Sequence, residues 1–346
     1  MNKGLIEGID MKIKPHVRRK RFYNHANDRI ITRLKHFVKN VYHIIKHRFH
    51  VGWHKIPFFD HGFTHHEWHA THPVVPASKE PMITWIGHAT FLIQVEGINI
   101  LTDPVFYEIS RVVPRVIKAP MTPDALPSID VVIISHNHKD HTDIKSLKAL
   151  LPHNPVMLVP MGNKRWFERL GFTQVVEMVW WDDYRVIIDE TQRALTISFL
   201  PSSHWTSRGL FDINKTLWGS WMIQSDEGSI YFAGDTAYSK HFSLIAKHFP
   251  SIDIALMPIG PNEPRHLMAD AHVSTDEAVT AFLDLQATHF IPMHWGTFKF
   301  GTDRFADPIN LLRKLWEVRV ASLKNKELHV VKFGERRAIT IKKKNI

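Results

Sequence analysis

The sequence has no cysteine among its 346 residues, which excludes disulfide bonds and any zinc site built on thiolates. A metal site would therefore use histidine and carboxylate ligands. The sequence also lacks a run of the ~18 apolar residues that a membrane-spanning helix needs. Residues 11–21 are basic where a signal peptide would be apolar. We expect a cytoplasmic protein that associates with membranes at their surface.

The positive charge is concentrated near the N-terminus. Residues 1–60 hold 14 Lys or Arg and 4 Asp or Glu, whereas residues 61–346 hold 30 of each kind, so the formal net charge of +10 lies in the first segment. Such a segment attracts membrane headgroups, nucleic acid or another acidic surface.

Residues 1–80 predict an arm that is separate from the main domain. Residues 1–26 have no clear periodicity and predict an irregular segment. Asp28 is suited to cap a helix that runs to about His50. Its apolar residues recur every three or four positions, at Ile31, Leu34, Val38, Val41, Ile45 and Phe49, and the basic residues Arg29, Arg33, Lys39, Lys46 and Arg48 lie largely off that stripe. This basic amphipathic helix has three possible roles. It packs its apolar stripe on the main domain, it lies in a membrane interface, or it contacts nucleic acid. Residues 51–80 are a connector rich in His and Pro, with histidines expected at the surface.

The pattern changes at residue 81. Short β-branched runs alternate with helical patterns near residues 143–151, 163–170, 240–248, 274–286 and 307–317. This alternation predicts an α/β domain over residues 81–346 with more than one sheet.

Histidine and aspartate cluster behind the predicted strands, where ligand sites of α/β proteins gather. The stretch "SHNHKDHTD" at 135–143 follows a run of four apolar residues. Its spacing lets His136 and His138 face one point while Asp140 and His141 face a second. Each Zn²⁺ needs about four donors. Residues at other strand ends, His204, Asp235 and His294, would complete two metal sites.

These residues resemble the pattern of the metallo-β-lactamase-fold hydrolases, over about residues 81–300. The resemblance implies a four-layer αββα sandwich with two Zn²⁺ per chain. By motif position, the first metal would be held by His136, His138 and His204, and the second by Asp140, His141 and His294. Asp235 would bridge the two metals, and Asp103 would orient a ligand.

Longer stretches, including "WIGHATFLIQVEGINILTDPVF", "MPIGPNEPR", "HVSTDEAV" and "MHWGTFKF", are similar to the N-acylphosphatidylethanolamine-hydrolysing phospholipase D group. That group implies hydrolysis of a lipid phosphodiester to N-acylethanolamine and phosphatidic acid. His272 matches a group position near the substrate phosphate. Lys139 replaces an aromatic residue and Ala271 a larger polar one, so the head-group selectivity can differ from that of the group.

Two Zn²⁺ would lower the pKa of a bridging water towards ~7 and bind a phosphate oxygen, which suits attack on phosphorus. Asp140, Asp235 and His272 are the candidate catalytic residues, although a histidine at 272 also suits a structural or surface role.

Phospholipid is the expected substrate, and the basic helix is expected to contact the membrane. Nucleic acid is not expected as a partner, and a homodimer is left open. The alternatives are another metallohydrolase, such as a nuclease or sugar-phosphate lactonase, and a catalytically silent scaffold.

Other residues have two readings each. Arg208 and Arg265 suit either phosphate binding or an ion pair with a surface carboxylate. Four tryptophans, at positions 205, 218, 221 and 295, suit either an acyl groove or the core.

Overall fold

The computed structural model describes residues 13–24, 65–70, 81–110, 113, 115–188, 194–209 and 211–341. The predicted helix at 28–50 and most of the 51–80 connector lie outside the described residues. The arm boundary at residue 80 therefore stays a prediction.

A short antiparallel hairpin, β1 (His16–Arg18) and β2 (Arg21–Tyr23), comes first. The prediction of an irregular segment over 1–26 was wrong for these residues. Phe22 and Tyr23 are buried. The backbone N–H of Phe22 donates to the carbonyl of Asn214, which anchors the hairpin to the main domain at 2.8 Å.

Two seven-stranded sheets form the main domain. The first contains β3 (Met82–Gly87), β4 (Thr90–Val95), β5 (Ile98–Thr102), β6 (Val131–Ile133), β7 (Val156–Pro160) and β8 (Val175–Met178). The second contains β9 (Asp183–Ile187), β10 (Ala194–Leu200), β11 (Ser220–Ser225), β12 (Gly228–Phe232), β13 (Ile254–Pro258), β14 (His289–Met293) and β15 (Glu327–Leu328). The last strand, β16 (Arg336–Ala338), returns to pair with β3 in the first sheet.

The strand orders are β16-β3-β4-β5-β6-β7-β8 and β15-β14-β13-β12-β11-β10-β9. Strands β5 to β8 run parallel, as do β12 to β15. The helices are α1 (His65–Trp68), α2 (Ile144–Ala149), α3 (Lys164–Leu170), α4 (His241–His248), α5 (Arg265–Met268), α6 (Thr275–Asp284) and α7 (Asp307–Val318). The five helical patterns in the sequence of the main domain correspond to α2, α3, α4, α6 and α7.

Strand β6 shows how the layers form. Val131 and Ile133 point into the core between the two sheets, whereas Val132 and Ile134 pack on the outer face with Leu147 of α2. Successive side chains of a strand point to opposite faces, so a continuous apolar run indicates a strand buried on both faces. The αββα prediction is confirmed.

Part of the connector also packs on the domain. The Trp68 ring lies 4.9 Å from the Trp295 ring, edge to face. The backbone N–H of Ala70 donates to the carbonyl of Phe333 at 2.8 Å. The 51–80 connector therefore touches the core through residues 65–70. Among the described residues, no helix has both the length and the apolar composition needed to cross a bilayer.

Candidate metal centre

The candidate metal centre lies where strands of the two sheets end on the same side of the sandwich. His88 follows β3, Asp103 follows β5, and the loop with His136, His138, Asp140 and His141 follows β6. In the second sheet, His204, Asp235 and His294 come after β10, β12 and β14. All seven predicted metal ligands are brought together here.

The first group of ligand atoms belongs to His136, His138 and His204. The Nδ1 atom of His138 lies 2.8 Å from Nε2 of His136 and 3.3 Å from Nε2 of His204. His138 thus faces the group through Nδ1 and the other two through Nε2. This is the trio that the motif assigns to the first metal.

The second group consists of Asp140, His141 and His294, joined by His88. The Oδ2 atom of Asp140 lies 3.4 Å from Nε2 of His141 and 3.9 Å from Nε2 of His294. The same oxygen is 3.0 Å from Nε2 of His88. The motif-based assignment did not include His88.

Asp235 lies between the two groups. Its Oδ2 atom is 3.3 Å from Nε2 of His141, 3.8 Å from Nε2 of His204 and 3.9 Å from Nε2 of His136. Its Oδ1 atom is 3.0 Å from Nε2 of His294. One carboxylate therefore reaches ligand atoms of both groups, as a bridging ligand would.

The Nδ1 atoms on the far side of the rings have partners. Those of His204 and His294 each lie 2.9 Å from a backbone carbonyl, of Ala271 and Gly260 respectively. Nδ1 of His141 is 2.7 Å from Oδ2 of Asp103. Asp103 also accepts from the hydroxyl of Ser135 at 2.5 Å. Such outer contacts orient each ring so that Nε2 points inward.

Buried atoms without hydrogen bonds test whether these residues fit a metal. Four such atoms converge here: Nε2 of His141 and of His294, and both carboxylate oxygens of Asp235. Buried polar atoms are nearly always hydrogen-bonded. Nε2 of His294 lies 3.0 Å from Oδ1 of Asp235, yet their geometry makes no hydrogen bond. Atoms that converge without bonding one another suit a shared cation, so the donor set fits metal binding.

Electrostatics point the same way. Burial would raise the pKa of Asp235, but the charges of His141 and His294 hold that pKa well below its usual range. Burial would lower the pKa of His141, but the carboxylates of Asp235, Asp140 and Asp103 raise it well above the usual value. Burial lowers the pKa of His136 and His204 well below normal, so both rings stay neutral and able to bind metal. The negative charge of the carboxylates favours a positive charge between them, and a bound cation would supply it.

Backbone conformation near the centre is unusual. His88, Asp103 and His294 have positive φ angles of 53°, 32° and 60°. Non-glycine residues seldom adopt this region, and such strain is concentrated at functional sites. Gly234, next to Asp235, has φ +57°, and a Cβ atom there would lie 2.5 Å from Cβ of Ser135. Glycine lets the ends of β12 and β6 approach each other across the two sheets.

His272 lies at the edge of the centre. Its Nδ1 atom is 3.6 Å from Oδ2 of Asp235, and its side chain is 20% exposed. Burial lowers the pKa of His272 to about 4. Its backbone carbonyl accepts a hydrogen bond from Arg265 at 2.8 Å, and Arg265 pairs with Glu277 at 2.5 Å. Of the two roles predicted for Arg265, the structure shows the ion pair with a carboxylate. Arg265 also supports the segment that carries His272.

Arg208 supports the metal-ligand loop. Its Nη1 atom donates to the carbonyls of Asn137 and Thr142, at 3.0 and 2.9 Å. Its guanidinium stacks over the ring of Trp166 at 4.5 Å. Neither of the two predicted roles, phosphate binding or pairing with a surface carboxylate, describes these contacts.

Three of the four tryptophans belong to the core, and the fourth lies at the candidate metal centre. Trp218, Trp221 and Trp295 are core residues, at most 3% exposed. Trp205 is half-buried, with its ring 4.6 Å from that of His138. Of the four, Trp205 is the one that the structure places against a candidate ligand. Lys139 is exposed on the loop, and Ala271 is buried beside His204.

Comparison with known proteins agrees with this geometry. A family model described as the beta-lactamase superfamily domain matches residues 98–295. The chain belongs to the metallo-β-lactamase superfamily. It is 33% identical over 266 residues to N-acyl-phosphatidylethanolamine-hydrolyzing phospholipase D 1 of Caenorhabditis elegans, covering 73% of this chain and 74% of that protein. It is also 33% identical to the mitochondrial protein of the same name from Saccharomyces cerevisiae, over 69% of this chain and 53% of that one. The chain thus spans about half the length of the yeast relative.

A more distant relative is a UPF0173 metal-dependent hydrolase of Hyperthermus butylicus, 30% identical over 73% of this chain and 97% of that one. Among solved structures, the metallo hydrolase Igni18 of Ignicoccus hospitalis has a TM-score of 0.57 at 22% identity, covering 76% of this chain and 99% of that chain. The likeness to Igni18 supports the fold. With its relatives, the superfamily assignment makes this chain a metal-dependent hydrolase.

Proposed function

We propose that this metallo-β-lactamase-superfamily hydrolase is a phosphodiesterase of the phospholipase D type. Its substrate would be N-acylphosphatidylethanolamine, and its products would be N-acylethanolamine and phosphatidic acid. The observation that carries the proposal is the position of Asp235 between two groups of ligand atoms, within 4 Å of His141, His204, His136 and His294. The names of the worm and yeast relatives support the choice of lipid.

Two Zn²⁺ per chain suit the nitrogen and oxygen donors. His136, His138 and His204 would hold one ion, and Asp140, His141 and His294 the other, with Asp235 shared. When bound, the ions would supply a water of lowered pKa and positive charge for a phosphate oxygen. Asp103 keeps the His141 ring oriented through the 2.7 Å contact.

His272 is suited to contact the substrate. It is partly exposed at the edge of the centre, and its depressed pKa keeps the ring neutral at pH 7. A neutral imidazole donates from one nitrogen and accepts at the other. His272 would hydrogen-bond the phosphate or the oxygen that leaves. Asp140 would accept a proton near the site of attack while serving as a ligand.

The basic N-terminal segment would hold the enzyme at the surface of an anionic membrane, and the protein would then be cytoplasmic and peripheral to the membrane. Each Lys or Arg near such a surface contributes about 1 kcal/mol of binding. This proposal rests on the charge of residues 1–60 and on the predicted helix at 28–50.

The test is an assay of zinc-loaded protein on N-acylphosphatidylethanolamine in mixed micelles, with both products measured by mass spectrometry. The matched variants are Asp235→Asn, which removes the shared carboxylate, and Asp226→Asn, an exposed aspartate outside the centre. Both products from the wild type and Asp226→Asn, and neither from Asp235→Asn, support the proposal.

No product from protein shown to hold two metal ions would refute the lipid substrate. RNA oligomers and phosphorylated lactones are the next substrates to assay in that case. Steep inhibition by salt would accompany cleavage of RNA, because phosphate contacts release counterions.

A further inference from the structure

A second group of histidine and carboxylate side chains lies far from the candidate metal centre. It consists of His289, Glu327 and His329, whose ligand atoms lie within 4.8 Å of one another. His289 begins β14 and His294 follows the end of the same strand. Five residues of strand span roughly 16 Å. The two groups are therefore at opposite ends of β14 and cannot share an ion.

The β-sheet register brings the three side chains together. His289 and Glu327 are direct partners in the parallel pairing of β14 with β15. His329 lies two residues beyond Glu327, one past the end of β15, and its Nε2 atom is close to the carboxylate of Glu327. The backbone N–H groups of Glu327 and His329 donate to the carbonyls of Thr288 and Phe290, at 2.9 and 2.8 Å. This ladder fixes the positions from which the side chains extend.

The spacing of the ligand atoms matches one face of a tetrahedron. Nδ1 of His289 lies 3.0 Å from Nε2 of His329, a hydrogen bond that a bound ion would replace, and 3.4 Å from Oε2 of Glu327. Nε2 of His329 lies 3.5 Å from the same oxygen. Ligands about 2.05 Å from a tetrahedral zinc are about 3.3 Å apart. The triangle could receive an ion with little movement of its atoms.

The surroundings suit an ion at the surface. His289 is buried, the side chain of His329 is 15% exposed and that of Glu327 is 57% exposed. The fourth position would open to water. Of two nearby cations, Lys326 donates to the carbonyl of Gln286, and Arg337 pairs with Glu335 but lies near enough for its charge to act on His329.

We propose that His289, Glu327 and His329 form a separate site for a divalent first-row transition metal, with Zn²⁺ the test ion. Two imidazoles and one carboxylate are the ligands such ions accept. The ion would join β15, a two-residue strand at the edge of its sheet, to β14. The chain then crosses from β15 to β16 in the other sheet, so the site would hold the segment that links the two sheets. Its role is structural, and it is independent of the proposed reaction.

The test counts metal ions. Full-length wild type, His329→Gln, Glu327→Lys and His16→Gln are dialysed against the same free Zn²⁺ concentration, and bound zinc is measured by mass spectrometry. His16 is an exposed histidine of the β1–β2 hairpin and serves as the matched control. We expect wild type and His16→Gln to bind one more ion per chain than the other two variants. Because Glu327 is largely exposed, Glu327→Lys decides the question if His329→Gln does not fold.

Thermal unfolding gives a second readout. Zinc added beyond the amount that fills the candidate metal centre should raise the melting temperature of the wild type by a few degrees. Binding to the folded state stabilises that state. Glu327→Lys should lack that rise and keep its hydrolase activity. Equal zinc counts in wild type and both site variants would overturn the proposal, as would an equal rise in melting temperature.

Discussion

Nε2 of His88 lies 3.0 Å from Oδ2 of Asp140, although the two residues are 52 positions apart in the chain. His88 is held on its backbone side as well. Its N–H donates to the hydroxyl of Thr297 at 2.7 Å, and its carbonyl accepts from the N–H of His294 at 3.1 Å. A single residue directly behind strand β3 of the first sheet thus contacts two proposed ligands of the second metal.

We therefore expect His88→Phe to weaken metal binding by about 10–100-fold, the usual effect of losing an outer partner. His88→Gln should retain most of the affinity, because its amide can still donate to Asp140. Zinc titration of both variants, with unfolding curves to verify the fold, distinguishes the roles. Equal weakening in both would mean that His88 is itself a ligand, and wild-type affinity in both would contradict either role.

Gly234→Ala should disturb the approach of the two sheets. Its Cβ atom would lie 2.5 Å from Cβ of Ser135, and φ is +57°. We expect a loss of about 1–3 kcal/mol or more in the free energy of unfolding, together with weaker zinc binding. Gly97→Ala is the control, because Gly97 also has a positive φ, +82°, but faces open space. A similar loss in both variants would show that backbone strain alone matters.

His241 should make the protein sensitive to acid. The ring is buried outside the proposed ligand set, and burial lowers its pKa from 6.5 to about 3. Between these values the unfolded chain binds a proton that the folded chain does not, so stability falls as pH drops below 6.5. At pH 5 this amounts to about 2 kcal/mol.

Denaturant unfolding of wild type and His241→Gln at pH 7 and pH 5 measures this effect. The wild type should lose about 2 kcal/mol more than the variant between the two pH values. Parallel losses would show that His241 titrates normally in the folded protein.

The basic arm offers a prediction that depends on the sequence alone. Replacing Arg29, Arg33, Lys39, Lys46 and Arg48 by glutamine should lower affinity for anionic vesicles by more than about 100-fold. Vesicle sedimentation measures it, with neutral vesicles as the reference. Glutamine at Lys314, Lys324 and Lys332, which are exposed in the main domain, should have little effect. Unchanged binding by the arm variant would remove the arm from membrane contact.

Much of the fold could be predicted from the sequence because the signals are local. The apolar run before His136 predicts a buried strand, and the five helical patterns of the main domain match helices. The hairpin at 16–23 was missed because three-residue strands have no measurable period. Its stability comes from distant contacts, such as that of Phe22 with Asn214.

In the candidate metal centre, too, some residues could be predicted from the sequence and others could not. The proposed ligands lie in motifs or directly behind strong strand patterns, so they could be predicted from the sequence. His88 also follows a strand, in "WIGHATF", so its position behind that strand is a sequence signal for the same site. The contacts of Arg208 and Arg265 had no sequence signal, because their partners are backbone carbonyls and a helix residue brought near by folding.

The most direct test of the proposed function is to run the N-acylphosphatidylethanolamine reaction in water enriched in oxygen-18. Attack on phosphorus predicts one labelled oxygen in the phosphate of phosphatidic acid and none in N-acylethanolamine. Label in N-acylethanolamine, or the absence of both products from metal-loaded protein, would contradict the account.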